Sequence, residues 1–547
     1  MSTLEQADLV LTSEAIFTGQ HDKPIKGSVA IRDRYIVAVG SVEEVKPFIG
    51  SHTKVLDVGE KLIMPGFQDF HLHLFLGSLA QVSVSLLDAK SEQETAEMVK
   101  VFADSRPDDP WVIGFSWYHV FWDEKKLPHR STLDQFISDR PVFLFNAECH
   151  GAWLNSKALE VIGIDRNTPD PPFGGIAKDE NGEPTGFLYE TAMGLAEQAF
   201  TSIPRERKAC ILEKFLNQAA KLGITTVSDM LPLPNLELGD LDIYQEFEEK
   251  GKLTTRIQFM TALNGDLERP RVLREQYCSD KLMFSGLKQF LDGVPTTYTA
   301  YLLEPYSDCP ETRGNTLIPI DQVKQWIIDA DREDFRIRLH ACGDGAVRLG
   351  LDSFEAAQKI NGVRDSRHTI EHIEVIHPDD LDRFSQLGVI ASMQPEHLGV
   401  SEKYEDNDYL DRLGKEREPF TWPINTLKQR GARMAFGTDF PVVGLDPMME
   451  IYRAVTRVFN DGNPIGGWNP AEKVTLAEAL HDYTNGSAYG GFREHELGTL
   501  EKGKLADVIV LDRNLFDVPV EEIKDTKVKL TVMDGEIVYQ DFIEKGS

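Results

Sequence analysis

Short apolar runs separated by turn residues occupy both ends of the chain. They cover residues 8–12, 28–32 and 54–58 near the start, and 506–512 and 528–539 near the end. Short runs of this kind, bounded by turn residues, are typical of antiparallel strands. We predict hairpins around Arg32-Asp33-Arg34 and at the Asp534-Gly535 pair. We therefore expect residues 1–63 and 496–547 to build one small β-sandwich domain together.

Between the two ends, apolar strand candidates alternate with stretches of helical character. The strand candidates are residues 65–73, 224–229, 254–260, 286–291, 335–340, 368–372, 389–394 and 433–438, and the helical candidates include 207–222, 321–331 and 347–359. This alternation favours a parallel sheet with helical crossovers. Eight such strands predict an α/β fold of the TIM-barrel type, (β/α)8, over residues 64–495.

The first two strand candidates are separated by roughly 150 residues, far more than a barrel crossover needs. We therefore predict an inserted subdomain over residues 75–205. It is rich in aromatic residues, namely Trp111, Trp117, Tyr118, Phe121, Trp122 and Trp153. Aromatic clusters are more often core than binding site. A segment that follows a barrel strand nevertheless overlies the active-site face. We interpret the insertion as a lid over a substrate pocket, with Trp117 and Trp122 as substrate-binding candidates.

Composition narrows the class of protein. A chain of 547 residues exceeds the size of a single core, and 41% of its residues are hydrophobic. A formal charge of -31 argues against nucleic acid or an anionic membrane as a partner. The five cysteines include no Cys-x-x-Cys pair, which argues against a disulfide framework or a structural zinc site. Because we find neither a signal peptide nor a membrane-spanning segment, we expect a cytoplasmic protein.

His71 and His73 end the first barrel strand candidate. Side chains repeat with period two along a strand, so both imidazoles share a face, and imidazole suits zinc and similar metals. A single His-x-His also arises by chance, but four further residues each close an apolar run at the end of a strand candidate. These are Lys288, His340, His372 and Asp439. All lie at carboxyl ends of predicted strands, where barrel active sites form.

With these residues in this order, the chain resembles the amidohydrolase superfamily over nearly its whole length. Within it the chain is similar to the YtcJ-like branch, which includes N-substituted formamide deformylases. The resemblance implies two divalent metal ions, with zinc expected. His71, His73 and Asp439 would hold one ion, and His340 and His372 the other. Lys288 would bridge them as an N6-carboxylated lysine; the alternative is a salt bridge near the site.

Such a site would activate a hydroxide to attack a carbonyl. Asp439 would accept the proton of the water and deliver it to the leaving amine. We expect a small amide substrate, an N-acyl or N-formyl amine, with carbamates, cyclic amides and esters as alternatives. A deaminase is the second choice, since no Glu follows His340 within a few residues. A non-catalytic scaffold is the third. The resemblance also implies a homodimer.

Three further residues are substrate-binding candidates. His150 lies in a segment similar to the YtcJ-like branch, where family members usually have Asp-Gly-His, so Glu148-Cys149 departs from the pattern. His397 closes Gln394-Pro-Glu-His397, which resembles a Gln-Pro-x-His segment of the same branch. Asp292 follows the lysine strand. His397 and Asp292 could equally be turn or surface residues.

Overall fold

The computed structural model describes residues 6–230, 241–399 and 407–542. The strands are β1 Leu9–Ile16, β2 Ile25–Arg32, β3 Tyr35–Gly40, β4 Lys54–Asp57, β5 Leu62–Pro65, β6 Phe67–Leu72, β7 Val84–Ser85, β8 Val112–Trp117, β9 Val142–Asn146, β10 Gly151–Leu154, β11 Gly174–Lys178, β12 Pro184–Glu190, β13 Ile224–Asp229, β14 Arg256–Ala262, β15 Leu282–Phe290, β16 Ile337–Ala341, β17 Thr369–His372, β18 Ile390–Met393, β19 Arg433–Phe436, β20 Val508–Leu511, β21 Val528–Met533 and β22 Glu536–Gln540. The α-helices are α1 Val42–Val45, α2 Leu74–Ala80, α3 Glu92–Ser105, α4 Arg130–Asp134, α5 Ser156–Ile162, α6 Gln198–Thr201, α7 Arg205–Lys221, α8 Leu241–Glu249, α9 Glu268–Gln276, α10 Ile320–Arg332, α11 Asp344–Asn361, α12 Arg383–Leu387, α13 Asp408–Leu413, α14 Ile424–Gln429, α15 Pro447–Thr456, α16 Leu476–His481 and α17 Ser487–Gly490.

One sheet combines strands from both ends of the chain. Its order is β22-β21-β20-β5-β1-β2-β3, with β4 beside β1. The antiparallel pairing of β20 with β5 joins the last strands of the chain to the first. Both predicted hairpins are present, and residues Asp33, Asp534 and Gly535 have positive φ angles at their turns.

The barrel consists of eight parallel strands in the order β19-β18-β17-β16-β15-β14-β13-β6. A parallel bridge between Leu72 and Phe440 brings the first and last strands together. All eight predicted strands are found within a few residues of their predicted limits, and the TIM-type fold is confirmed. The largest deviation is β15, which begins at Leu282 because its first residues also pair with β14.

Helices pack around the barrel and bury one face each. In α11, Val347, Leu351 and Phe354 are buried at helical spacing against the strands. The three predicted helices correspond to α7, α10 and α11.

Among the helices of the described residues, none has the length and hydropathy that crossing a bilayer requires.

The segment between β6 and β13 contains a sheet of its own, in the order β11-β12-β10-β9-β8-β7. Apolar side chains cover both faces of this sheet. Trp117, Trp122 and Trp153 pack together on one face, with the ring centroids of Trp117 and Trp122 5.6 Å apart. The segment therefore has its own hydrophobic core above the first barrel strand.

An ion-pair group connects the barrel to the terminal sheet. Arg256 in β14 is buried and donates to Asp507 (3.0 and 3.2 Å) and to Asp534 at 2.8 Å. Arg34 in the β2–β3 turn also pairs with Asp534 at 2.9 Å. Because the two carboxylates precede β20 and follow β21, these contacts fix the last strands of the chain against the barrel.

Candidate metal centre

His71, His73 and Asp439 meet where β6 ends and the chain leaves β19. Asp439 Oδ1 lies 3.2 Å from His71 Nε2 and 3.0 Å from His73 Nε2. All three residues are buried, and one ligand atom of each lies within 4.8 Å of the others. Two imidazoles and one carboxylate at such distances are a common donor set for zinc.

Asp69 explains why these residues meet. Its Oδ1 accepts the backbone N–H of His71 (3.2 Å) and of Thr438 (3.1 Å), and its Oδ2 accepts the Thr438 hydroxyl at 2.7 Å. The strands approach so closely that a Cβ at Gly437 would lie 2.3 Å from the nitrogen of His71. Asp439 itself has a φ of 60°, a left-handed conformation that non-glycine residues adopt rarely and often at functional sites.

His340 lies next to the end of β16 and His372 ends β17, and their ring centroids are 4.5 Å apart. His372 Nδ1 lies 3.8 Å from Asp439 Oδ2, and the ring of His372 is 4.9 Å from that of His71. Burial, followed by the charges of neighbouring groups, holds the pKa of both His340 and His372 well below the usual value. Both rings are therefore neutral, as a metal-binding imidazole must be.

His397 lies beside the same carboxylate. Its Nε2 is 3.5 Å from Asp439 Oδ2, and its Nδ1 is 3.6 Å from Glu374 Oε1. His372, His397 and Asp439 form a second group whose ligand atoms lie within 4.8 Å of one another. The sequence led us to expect His397 among the substrate-binding residues, whereas the structure places it at the distance of a possible ligand.

Lys288 in β15 is fully buried, and its Nζ has no hydrogen-bond partner among the described residues. The nitrogen lies 5.1 Å from the centroid of the Phe290 ring. Burial lowers the pKa of Lys288 to about 8, against the opposing charge of Glu371. The salt-bridge alternative for this lysine finds no hydrogen-bonded carboxylate in the described part of the chain.

Glu371 and Arg338 were not among the sequence candidates. Glu371 Oε2 lies 2.7 Å from His71 Nδ1, and Arg338 Nε donates to the other carboxylate oxygen. All three side chains are fully buried. Burial acts to raise the pKa of Glu371, but the charges of Arg338 and His71 outweigh it and hold the pKa well below normal. An anionic Glu371 accepts a hydrogen bond from the Nδ1–H of His71, which leaves Nε2 free to face Asp439. A charged residue within a short apolar strand is the signal that could have revealed it.

His150 lies at the edge of the cluster, with its ring centroid 5.1 Å from that of His340. Its Nδ1 is 2.8 Å from Glu190 Oε2. Burial acts to lower the pKa of His150, but Glu190 outweighs it and raises the pKa to about 9. Glu190 has a φ of 47°, a further left-handed residue beside the site. The insertion thus brings a cationic imidazole next to the histidines of the barrel.

Asp292 accepts three backbone N–H groups, from Tyr301 (2.8 Å), Cys342 (3.0 Å) and Gly343 (2.9 Å). Both of its oxygens are therefore used to hold the loops that follow β15 and β16. Its Oδ1 also lies 3.8 Å from His340 Nε2. These bonds make Asp292 an anchor for the segment that carries Cys342, and its contact with a substrate stays a prediction from the sequence.

Trp117 and Trp122 lie in the core of the insertion rather than among the clustered histidines. Trp117 is 0% exposed, and its Nε1 donates to the carbonyl oxygen of Leu144 at 2.9 Å. Trp122 packs against Trp117 and Trp153. Their apolar rings are buried by side chains of the insertion itself, and a substrate-binding role for them stays a prediction from the sequence.

Several buried polar atoms of the cluster have no hydrogen bond within the described ranges: His71 Nε2, His372 Nδ1, His397 Nε2, Asp439 Oδ1 and Lys288 Nζ. Buried polar atoms are normally partnered, and such orphans require an explanation. Nitrogen and oxygen donors that converge without bonding one another fit a divalent metal ion. A (β/α)8 barrel with this donor set at the carboxyl ends of its strands is typical of a metal-dependent enzyme.

Comparison with known proteins gives the family. The family model described as "Amidohydrolase family" matches residues 54–539, so the chain belongs to the amidohydrolase family. Protein LONG AFTER FAR-RED 3 of Arabidopsis thaliana is 31% identical, covering 97% of this chain and 92% of that protein. The putative amidohydrolase YtcJ of Bacillus subtilis is 29% identical (94% and 96% covered).

An N-substituted formamide deformylase of Arthrobacter pascens is 26% identical, with 98% of this chain and 99% of that protein covered. Among solved structures, an uncharacterised metal-dependent hydrolase of Pyrococcus horikoshii is 26% identical with a TM-score of 0.74, covering 94% of this chain and 99% of that one. The resemblance to the YtcJ-like branch is confirmed, and the protein is a metal-dependent amidohydrolase.

Proposed function

We propose that the protein hydrolyses the C–N bond of a small N-acyl or N-formyl amine. The observation that carries this proposal is the position of Asp439. Its two carboxylate oxygens lie within 3.0–3.8 Å of four imidazoles, those of His71, His73, His372 and His397. A carboxylate at the centre of such a set can serve both as a metal ligand and as the group that moves protons.

Two divalent ions, zinc by expectation, fit this donor set. His71, His73 and Asp439 would hold one ion, and His340 and His372 the other, with Lys288 in its N6-carboxylated form between them. Its closeness to His372 and Asp439 makes His397 a further candidate for the second ion. The buried, unpartnered Nζ of Lys288 supports carboxylation, because an ammonium cannot bind a metal. When bound, the ions polarise the acyl oxygen and lower the pKa of water.

The side chains of the protein supply the proton transfers. Burial acts to raise the pKa of Asp439, but His71 and His73 outweigh it, so the pKa stays well below its usual range and the group is anionic. Asp439 therefore accepts a proton from the attacking water and passes it to the leaving amine. His150, held cationic by Glu190, offers an N–H to the acyl oxygen of the substrate.

The substrate class is supported by the resemblance to N-substituted formamide deformylases and by a donor set suited to hydrolysis. We further propose that residues 1–63 with 496–547 and residues 75–205 act as separate domains around the barrel. A cytoplasmic location and a homodimer stay predictions from the sequence.

A substrate panel tests the proposed reaction. Zinc-loaded protein is incubated with N-formyl and N-acetyl amines, a carbamate, a cyclic amide, an ester and an aminated heterocycle, and amine, acid and ammonia release are measured separately. We expect formate or acetate release that Asp439→Asn abolishes and the exposed control Asp379→Asn leaves intact. Ammonia release from the heterocycle alone would replace this proposal with deamination.

A further inference from the structure

We propose that two buried tyrosines, Tyr483 and Tyr244, are positioning residues for two histidines of the metal centre, His71 and His73. The hydroxyl of each tyrosine donates to an aspartate, and that aspartate accepts a backbone N–H group beside one of the two histidines. We call each tyrosine with its aspartate a clamp. The inference rests on the proposed function, because His71 and His73 are metal ligands that it assigns.

The first clamp consists of Tyr483 and Asp69. The Tyr483 hydroxyl donates to Asp69 Oδ2 at 3.2 Å, while Asp69 Oδ1 accepts the backbone N–H of His71 at 3.2 Å. Both side chains of the clamp are buried, so a donor lost here is not replaced by bulk water. The hydroxyl of Thr438 donates to the same oxygen as Tyr483, and the two hydroxyls together hold the carboxylate in place. Tyr483 therefore acts on His71 through one carboxylate.

Tyr483 reaches Asp69 because the chain forms a π-helical turn, Asp482–Gly486, between α16 and α17. The turn packs against β6 and β19. The approach is so close that a Cβ on Gly486 would clash with the carbonyl oxygen of Met434 in β19. Turns of this kind are rare and are frequently found at functional sites. This one places Tyr483 where the first and last strands of the barrel meet.

The second clamp consists of Tyr244 in α8 and Asp229, the last residue of β13. The buried hydroxyl of Tyr244 donates to Asp229 Oδ2 at 2.8 Å, and Asp229 Oδ1 accepts the backbone N–H of Leu74 at 2.9 Å. Leu74 follows His73 and begins α2, and the first N–H groups of a helix have no acceptor within the helix itself. Asp229 therefore supplies that acceptor and fixes the peptide group that links His73 to Leu74.

The two clamps hold one short segment at its two ends. The first clamp fixes the amide that precedes the Cα atom of His71, and the second fixes the amide that follows His73. Between them, the His73 N–H donates to the carbonyl oxygen of Phe440 at 2.9 Å. Because the backbone sets the direction of each Cβ, a segment fixed in this way directs both imidazoles to the same face of β6. The clamps thus pre-organise two ligands without touching a metal.

Replacement of each tyrosine by phenylalanine tests the inference, because it removes the hydroxyl and keeps the ring. We expect Tyr483→Phe and Tyr244→Phe each to weaken Zn²⁺ binding about three- to tenfold, less than the roughly 10–100-fold effect of losing a group bonded directly to a ligand. Zn²⁺ affinity is measured by competition with a chromogenic chelator. Tyr306→Phe is the matched control, because its buried hydroxyl donates to the carbonyl oxygen of Ala300 at 2.7 Å and not to a carboxylate. The control should bind Zn²⁺ like the unsubstituted protein.

A purely structural role for the tyrosines predicts similar losses of stability in all three variants and no effect on the metal. Denaturant unfolding is therefore measured together with the visible spectrum of the Co²⁺-loaded protein, which reports ligand geometry. Zn²⁺ affinities and spectra that match the control would reject the clamps, and a change in one variant alone would reject the other clamp. Weaker metal binding in both variants, with no amide hydrolysed by the unsubstituted protein, would support the clamps and reject the proposed reaction. Amide hydrolysis with unchanged metal affinity in both variants would keep the reaction and reject the clamps.

Discussion

His71 Nδ1 lies 2.7 Å from Glu371 Oε2, and both side chains are fully buried. The contact joins the first and sixth strands of the barrel and decides which nitrogen of His71 faces Asp439. The other oxygen of Glu371 accepts from Arg338, which also donates to the carbonyl oxygen of Phe70 at 2.6 Å. The orientation of one proposed metal ligand therefore depends on a buried ion pair that touches no metal.

We predict that Glu371→Gln weakens metal binding roughly 10–100-fold, the usual effect of removing a partner that orients a ligand. A glutamine amide no longer forces the Nδ1 proton onto His71. Metal affinity is measured by competition with a chromogenic chelator, and Glu180→Gln is the matched control. Unfolding is followed in the same samples, because the variant also leaves Arg338 without its counter-charge. Unchanged affinity in a folded variant would contradict the positioning role.

Gly437 is a second position where the metal centre depends on close packing. A Cβ there would lie 2.3 Å from the nitrogen of His71 and 2.8 Å from Asp69 Oδ1. We predict that Gly437→Ala costs about 1–3 kcal/mol of stability and displaces His71 from Asp439, with loss of bound metal. Gly444→Ala is the control, since no described atom lies within 4 Å of its added Cβ. Equal metal content in the two variants would refute this prediction.

Trp117 should act through stability rather than through substrate binding. Because its side chain is buried in the core of the insertion, we expect Trp117→Ala to lower the free energy of unfolding by about 3–5 kcal/mol. Val101→Ala, at a position 73% exposed in α3, should change it little. Denaturant unfolding measures both. A normally stable Trp117→Ala protein with a raised KM would instead support the substrate-binding role that the sequence predicts.

The lowered pKa of Asp534 predicts that the protein loses part of its stability in acid. Burial acts to raise its pKa, but Arg256 and its neighbours outweigh it and lower the pKa to about 2, from an ordinary value of 3.8. Since the folded pKa is the lower one, Asp534 stabilises the protein above pH 3.8, and this stabilisation is lost as the pH falls towards 2. Asp534→Asn should be less stable at neutral pH and lose less stability over that acid range. Identical pH profiles for the two proteins would rule this out.

Much of the barrel could be predicted because its strands are short apolar runs, each closed by a polar residue. Lys288, His340 and Asp439 end such runs, and the fold brings the strand ends together. Parallel strands share one carboxyl edge, so an ordered set of such residues predicts a common site before any contact is known. The sequence alone therefore predicts which residues lie at the shared edge of the barrel.

The role of Glu371 at the site could not be predicted in this way. Alternation along a strand places neighbouring residues on opposite faces, so Glu371 and His372 were not expected to serve the same site. His372 and Ile373 have φ angles of 73° and 49°, which end the alternation and let both side chains contact the cluster.

The most direct test of the metal centre is elemental analysis of protein purified without chelator, together with His71→Ala and Lys288→Ala. We predict about two zinc-like ions per chain, with a lower content in both variants, as expected for a two-metal hydrolytic site. One ion per chain that is insensitive to Lys288→Ala would contradict the bridged pair, and no bound metal would contradict the proposed mechanism as a whole.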